Sequence, residues 1–97
     1  MYKTSYPRNR GMLFIWDDIV PISMWMKNTY LPLDMLFIDA KGRIVNIVER
    51  TVPGSLETIS SVERAIAVLE VNGGTTSRLK IQKGDRVRHR AFRLKYD

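Results

Sequence analysis

Four polar side chains of different chemistry lie close together in the sequence, at a corner restrained by a proline. Lys27, Asn28, Thr29 and Asp34 supply a cation, an amide, a hydroxyl and a carboxylate. Such a set can bind a small polar or anionic ligand when the surrounding structure holds it in one arrangement. The sequence therefore predicts a ligand-binding site at this corner, which we define as residues 27–34.

The same residues also fit a purely structural role. In that interpretation, Asn28 and Thr29 satisfy the backbone of the turn. Asp34 then pairs with Lys27 or with an arginine and holds the corner together. The residue types are compatible with either role.

The common ingredients of a catalytic site are absent from the sequence. There is no cysteine and only one histidine, His89, and no Gly-rich phosphate loop or metal-ligand spacing occurs. Lys27 and Asp34 are the acid–base pair that the corner offers. A hydrolase-like enzyme is therefore the third choice of function, and we predict no catalytic residue, metal or cofactor.

Short apolar runs flank the corner and predict strands that position it. Residues 33–38 follow it, and the alternating residues 22–27 lead into it. Residues 12–16 give an earlier strand, covered on both faces, which Asp17 and Asp18 end.

A hairpin is predicted directly after the corner. Residues 35–39 and 43–48 form its strands, with Asp39 at the start of the turn and Gly42 near its end. Asp can bond the turn backbone and Gly can adopt positive φ, so a tight turn fits this spacing.

The remaining chain continues the β pattern. Residues 49–61 contain many Ser and Thr residues with a Pro-Gly pair, which predicts a long surface loop next to the corner. We expect a strand over residues 64–71 and a short helix over residues 75–80 that Thr75 caps. A last strand is expected over residues 85–89.

These elements predict one fold class. The 97 residues are enough for one domain with one core and too few for two. We expect a mainly β domain, α+β at the margin, built as a compact antiparallel β barrel or sandwich with one or two short helices. No apolar run is long enough for a membrane span.

The net charge of +6 is concentrated at the C-terminal end. Residues 78–97 contain eight basic residues against two acidic ones, whereas residues 1–77 are balanced. The alternative function is therefore binding of single-stranded nucleic acid or an acidic surface, with Phe92 and Tyr96 available to stack on bases. A bulge near Ala91 is predicted because the alternation changes phase there. The basic side chains assigned to this alternative are Arg86, Arg88, Arg90, Arg93 and Lys95.

Several motifs together resemble one prokaryotic family. They are Gly11-Met12-Leu13-Phe14, Trp25-Met26-Lys27-Asn28-Thr29, Pro32-Leu33-Asp34, Gly42-Arg43-Ile44-Val45 and Ile81-Gln82-Lys83-Gly84-Asp85-Arg86-Val87. In these motifs the chain resembles the family known as domain of unknown function 192, from its first residue to about Arg88. The resemblance implies a compact, mainly β fold and supplies no known reaction.

The resemblance also implies features beyond the matched motifs. Family members usually carry, before the position of Met1, a strand and a short helix that end in Gly-Leu-Met, often behind an export signal. The missing strand would leave a sheet edge unpaired. Either the chain is a fragment or has a misplaced start, or a second copy of the chain pairs with this edge as a homodimer. Residues 1–10 lack the apolar core of a signal peptide, so the compartment is undetermined.

The sequence as a whole favours a non-enzymatic binding module. We expect it to bind a small polar ligand, a glycan or a protein partner through the corner and the neighbouring loop. Nucleic-acid binding through the basic C-terminal strand is the alternative.

Overall fold

The fold is one antiparallel sheet followed by a short helix, seen in a computed structural model that describes residues 11–89 and 92. Helix α1, Thr75–Leu79, follows the last strand. The predicted mainly β fold is confirmed. The strands are β1 Gly11–Met24, β2 Leu33–Ile38, β3 Ile44–Val48 and β4 Ile59–Asn72.

The strand order is β1-β4-β2-β3, and every neighbouring pair is antiparallel. Within the described residues the sheet is open, with β1 at one edge and β3 at the other. The central strand β2 is buried along its whole length. Because a strand buried on both faces needs no polar alternation, this explains the continuous apolar run around Asp34.

The core consists of two clusters, one on each face of β2. Successive side chains of a strand point to opposite faces. Leu33, Met35 and Phe37 therefore join one cluster, whereas Leu36 and Ile38 join the other.

The predicted hairpin between β2 and β3 is confirmed. The Asp39 carboxylate accepts hydrogen bonds from the backbone N–H groups of Lys41 and Arg43, each at 2.9 Å. Gly42 has a φ of 85°, and its N–H donates to the Asp39 carbonyl at 3.0 Å. A Cβ at Gly42 would lie 2.8 Å from the Val87 carbonyl oxygen, so glycine is needed here for space as well as for conformation.

The first strand is longer than predicted. Asp17 and Asp18 do not end it, because β1 continues past them to Met24. They lie in a bulge of β1 between Ile15 and Val20. Within the described residues, β1 lies at the edge of the sheet and pairs only with β4. An edge strand tolerates bulges and charged side chains, because it forms backbone hydrogen bonds with a neighbouring strand on one side only.

Strand β4 begins earlier than predicted, so the long surface loop spans residues 49–58. The Ser-rich start of β4 resembled a loop in sequence. The buried Ser61 hydroxyl accepts from the Ile22 N–H at 2.9 Å and donates to the Glu63 carbonyl. This side chain therefore replaces part of the backbone ladder where the register shifts.

The irregular start of β4 contains a strained residue, which gives a first prediction. Val62 has a φ of 67° while 77% exposed, a conformation that costs a β-branched residue about 1–2 kcal/mol. We expect Val62→Gly to raise the free energy of unfolding by about 1 kcal/mol, because glycine adopts positive φ without strain. Urea denaturation measures the change.

Val52 provides the matched control for that substitution. It is 67% exposed and is not among the residues with positive φ. Val52→Gly should lower stability by about 0.5–1 kcal/mol through backbone entropy alone. Equal effects of the two substitutions would contradict strain at Val62.

The helix lies where it was predicted, but its cap differs. Gly74, with a φ of 94°, precedes the helix without a side-chain cap, and Thr75 is the first helical residue. The prediction that Thr75 caps the helix is therefore wrong. The Gly-Gly turn after β4 sets the direction of the chain instead, since glycine accepts this left-handed conformation.

The predicted strand over residues 85–89 is wrong. Its ladder reduces to one bridge, between Arg43 and Arg86, within the described residues. Gly84 turns the chain across the start of β3, where the Ile44 N–H donates to the Asp85 carbonyl at 2.9 Å. The bulge predicted near Ala91 lies outside the described residues.

None of the helices in the part of the chain that the structure describes has both the length and the apolar character needed to cross a bilayer.

Candidate functional site

The corner is a tight turn fixed to the neighbouring loop by backbone hydrogen bonds. The Thr29 N–H donates to the Met26 carbonyl at 3.1 Å. From the loop, the Gly54 N–H reaches the carbonyls of Met26 at 2.9 Å and Thr29 at 3.1 Å. The Ser55 carbonyl accepts from the Met26 N–H at 3.2 Å. Turn and loop therefore form one surface.

Three of the predicted site residues lie on the surface of this turn. Lys27 and Asn28 are exposed, and Thr29 is half-buried. The Lys27 Nζ lies 5.4 Å from the ring centroid of Trp25, a cation–π contact. Trp25 and Tyr30 are exposed by 55% and 60%. The turn thus presents two large aromatic groups beside a cation and an amide.

A second anchor joins the loop to the start of β2. The hydroxyl of buried Thr51 donates to the Leu33 carbonyl at 2.9 Å and accepts from the Leu33 N–H at 3.1 Å. The Thr51 N–H donates to that same carbonyl at 2.9 Å. Both ends of the corner are therefore tied to the loop.

Asp34 is separated from the other three residues and lies in the interior with no exposed surface. Its carboxylate accepts from the backbone N–H groups of Arg50 at 2.9 Å, Gly74 at 3.1 Å and Thr76 at 2.9 Å. The Thr76 hydroxyl donates a further bond at 2.9 Å. Its partners are thus backbone amides and a hydroxyl, where the structural interpretation had named Lys27 or an arginine side chain.

This environment keeps Asp34 ionised. Burial is the largest influence and raises the pKa of the carboxyl. The hydrogen bonds from Thr76, Arg50 and Gly74 act in the other direction and together outweigh it, so the pKa of Asp34 lies below its ordinary value. With both oxygens occupied, the carboxylate organises three segments and has no exposed oxygen for a substrate.

Carboxylates of the described residues do not form a metal centre. No group of three or more His, Asp or Glu side chains comes together in residues 11–89 and 92. The oxygens of Asp34 face N–H and O–H donors. This carboxylate therefore acts as a hydrogen-bond acceptor for backbone N–H groups and for the Thr76 hydroxyl.

The hydrogen-bond donors to Asp34 were not predicted from the sequence. These partners lie far from Asp34 in the sequence: Arg50 is in the β3–β4 loop, Gly74 is in the β4–α1 turn and Thr76 is in α1. The available signal was a charged residue inside a continuous apolar run, because a buried charge must find several donors. That signal predicts donors without identifying which segment supplies them.

The residues predicted to bind nucleic acid differ in their exposure. Arg86 and Arg88 are exposed. Phe92 is only 3% exposed and packs edge-on against His89, with ring centroids 6.1 Å apart. Its ring is therefore not available for stacking on bases. Four other residues of this alternative lie outside the described residues, namely Arg90, Arg93, Lys95 and Tyr96.

The chain is similar to one protein family and to two proteins of known structure. Residues 1–89 match the model of the family named domain of unknown function 192, described as uncharacterized ACR. The chain is 50% identical to a "putative transcription regulator" of Sinorhizobium meliloti, with a TM-score of 0.86 over 89% of this chain and 67% of that one. It is 35% identical to a protein of unknown function from Novosphingobium aromaticivorans, with a TM-score of 0.89 over 92% and 64%. It thus spans about two thirds of each structure. No curated protein matches the chain.

Proposed function

The chain belongs to the domain of unknown function 192 family, and from the geometry of its corner we propose that it is a non-enzymatic module that binds a protein partner. The family is described only as uncharacterised, so support for this function comes from the site. The proposed surface is the corner face, which we define by the exposed side chains of Trp25, Lys27, Asn28, Tyr30, Val52 and Leu56.

The proposal rests on one observation: large apolar side chains are exposed on a turn and a loop that backbone hydrogen bonds hold together. Trp25 and Tyr30 flank the turn, and Val52 and Leu56 belong to the loop hydrogen-bonded to it. Trp and Tyr are enriched among residues that dominate binding energy at protein interfaces. Holding them on a fixed turn lowers the entropy lost on binding.

The polar groups of the corner face indicate the chemistry of the partner. Lys27 stacks on Trp25 and places a positive charge beside an apolar surface. The Asn28 side chain has no hydrogen-bond partner among residues 11–89 and 92. A partner segment that carries a carboxylate next to an apolar side chain would complement both groups. The apolar groups of the corner face are spread over the turn and the loop. A surface of this kind suits a segment of a partner protein, whereas a small ligand or glycan needs a concave site.

The proposal predicts the outcome of a selection from a displayed peptide library. Peptides selected on the wild-type domain should combine acidic and apolar residues, and Trp25→Ala should weaken their binding about 30-fold, corresponding to about 2 kcal/mol. Isothermal titration calorimetry measures the affinities, and thermal melting checks that each variant is folded.

Ile15→Ala is the matched control, since Ile15 is an exposed large hydrophobic residue on β1, away from the corner. It should leave the affinities unchanged. Peptides that bind wild type, Trp25→Ala and Ile15→Ala equally would remove the corner face as the binding surface.

Nucleic-acid binding is the second candidate. It is supported by the exposed basic residues Lys80, Lys83, Arg86 and Arg88 and by the name of the Sinorhizobium relative. Binding through these residues would weaken steeply as salt rises, because it rests on phosphate contacts. The corner face contains one cation and would show little such dependence.

A further inference from the structure

An open depression of about 360 Å³ lies at the turn between β4 and α1, next to the buried Asp34. We propose that it binds a doubly charged oxyanion of the phosphate type, held by the side chains of Arg50, Thr75 and Arg78. This site is independent of the corner face. The depression is lined by Arg50, Asn72, Gly73, Gly74, Thr75 and Arg78.

The two arginines are the first observation. Neither the Arg50 nor the Arg78 guanidinium has a hydrogen bond or an ion pair within the described residues. No acidic residue lines the depression with them. Two unpaired guanidinium groups beside one cavity are arranged to attract an anion, and guanidinium groups match phosphate oxygens with paired N–H donors.

Thr75 is a second, independent observation. The residue lines the depression and is only 9% exposed. Its hydroxyl has no hydrogen-bond partner in the described part of the chain. Every fully buried side-chain oxygen or nitrogen of the described residues has a partner, so the Thr75 hydroxyl must remain accessible at the depression. Neighbouring Thr76 differs, because its hydroxyl donates to Asp34.

Asp34 positions this site without contacting the anion. It accepts from the N–H groups of both Arg50 and Gly74, and so fixes the two sides of the depression. Arg50 is held at a φ of 49°, and its Nη2 lies 2.9 Å from where a Cβ of Gly74 would be. A side chain at position 74 would displace this guanidinium. The arrangement is preorganised, which lowers the cost of binding.

The donor set favours a tetrahedral dianion over a carboxylate. A carboxylate has two oxygens in one plane, and a single arginine can bind both of them as a bidentate pair. Phosphate has more terminal oxygens, which Arg50, Arg78 and the Thr75 hydroxyl can share. Two carboxylates lie nearby, but Asp34 accepts from backbone N–H groups and the Thr76 hydroxyl, Glu49 accepts from that same hydroxyl, and neither carboxylate lines the depression with the two arginines. Selectivity for phosphate over acetate is therefore expected.

Isothermal titration calorimetry of the full chain with inorganic phosphate, glycerol phosphate and acetate tests the site. Phosphate should bind and acetate should not. Arg50→Gln and Arg78→Gln should each weaken phosphate binding about 10-fold, and Thr75→Val about 5-fold. Arg88→Gln removes the same charge from an exposed position outside the lining and should change the affinity less than twofold. Tighter binding of glycerol phosphate than of phosphate would identify a phosphate monoester as the ligand.

Amide chemical shifts provide a second measurement. Phosphate should shift the amide signals of Gly74 and Thr75 in wild type and in Arg88→Gln, and should not in Arg78→Gln. Arg78 is exposed on α1, so this variant keeps the fold. Three results would overturn the proposal: no binding of phosphate, acetate binding as tightly as phosphate, or an equal loss in Arg88→Gln.

Discussion

Replacing Asp34 with asparagine is expected to lower the free energy of unfolding by roughly 3 kcal/mol at pH 7, because hydrogen bonds to a charged group contribute about 1.5–3 kcal/mol each and partly overlap. The carboxylate accepts from Arg50, Gly74 and Thr76 with both oxygens. An amide has the same shape but turns an NH₂ group toward one set of donors. At least one buried N–H then loses its acceptor.

The effect of this substitution should depend on pH. The pKa of Asp34 in the folded protein lies below its ordinary value, so the ionised form stabilises the fold. This stabilisation is fully present above the ordinary pKa of about 4 and is lost as the pH falls through the lower pKa of the folded state. The difference between wild type and Asp34→Asn should therefore be constant from pH 7 to about 5 and narrow below about 4.

Urea denaturation between pH 2 and pH 7 measures this difference. Asp17→Asn is the control, since Asp17 is exposed in the bulge of β1. An exposed substitution of this kind should change stability by less than about 0.5 kcal/mol. A small effect of Asp34→Asn at pH 7, or an effect that does not change with pH, would contradict the structural role of the carboxylate.

The parts of the fold that sequence predicted are those fixed by local chemistry. Asp39 and Gly42 form the hairpin turn with their own near neighbours, at separations of two to four residues. The apolar run of β2 and the short helix after the Gly-Gly turn are also local signals. Local rules therefore suffice where the bonding partner is close in the chain.

The site could be only partly predicted, because its central bonds are non-local. Asp34 bonds to residues 16, 40 and 42 positions away. The sequence analysis grouped Asp34 with Lys27 because both belong to the corner, residues 27–34. In the structure, β2 carries Asp34 into the interior, whereas Lys27 lies on the surface. The extent of β1 has a similar cause. Asp17 is tolerated in the strand because β1 lies at an edge of the sheet that residues 11–89 form, and this position depends on the arrangement of all four strands.

The environment of Phe92 in the C-terminal segment also depends on residues distant in the sequence, and its replacement is expected to have a large effect on stability. Phe92 was predicted to be available for stacking on bases, but it packs in the core with Leu36, Ile38 and Ile44. We expect Phe92→Ala to lower the free energy of unfolding by about 3–5 kcal/mol, as is typical for removal of a buried aromatic ring. Tyr30→Ala is the control, because Tyr30 is mostly exposed, and should cost about 1 kcal/mol or less.

The same variant separates stability from nucleic-acid binding. If the exposed basic residues bind a single-stranded oligonucleotide, Arg86→Gln and Arg88→Gln should weaken it at unchanged stability, and the salt slope should fall by about one for each lost phosphate contact. Phe92→Ala should leave the affinity of the folded fraction unchanged, because the ring faces the core. Fluorescence anisotropy at 10 °C, where the variant is most folded, measures this. A Phe92→Ala variant of normal stability that loses oligonucleotide binding would reverse the assignment and make Phe92 a base-stacking residue.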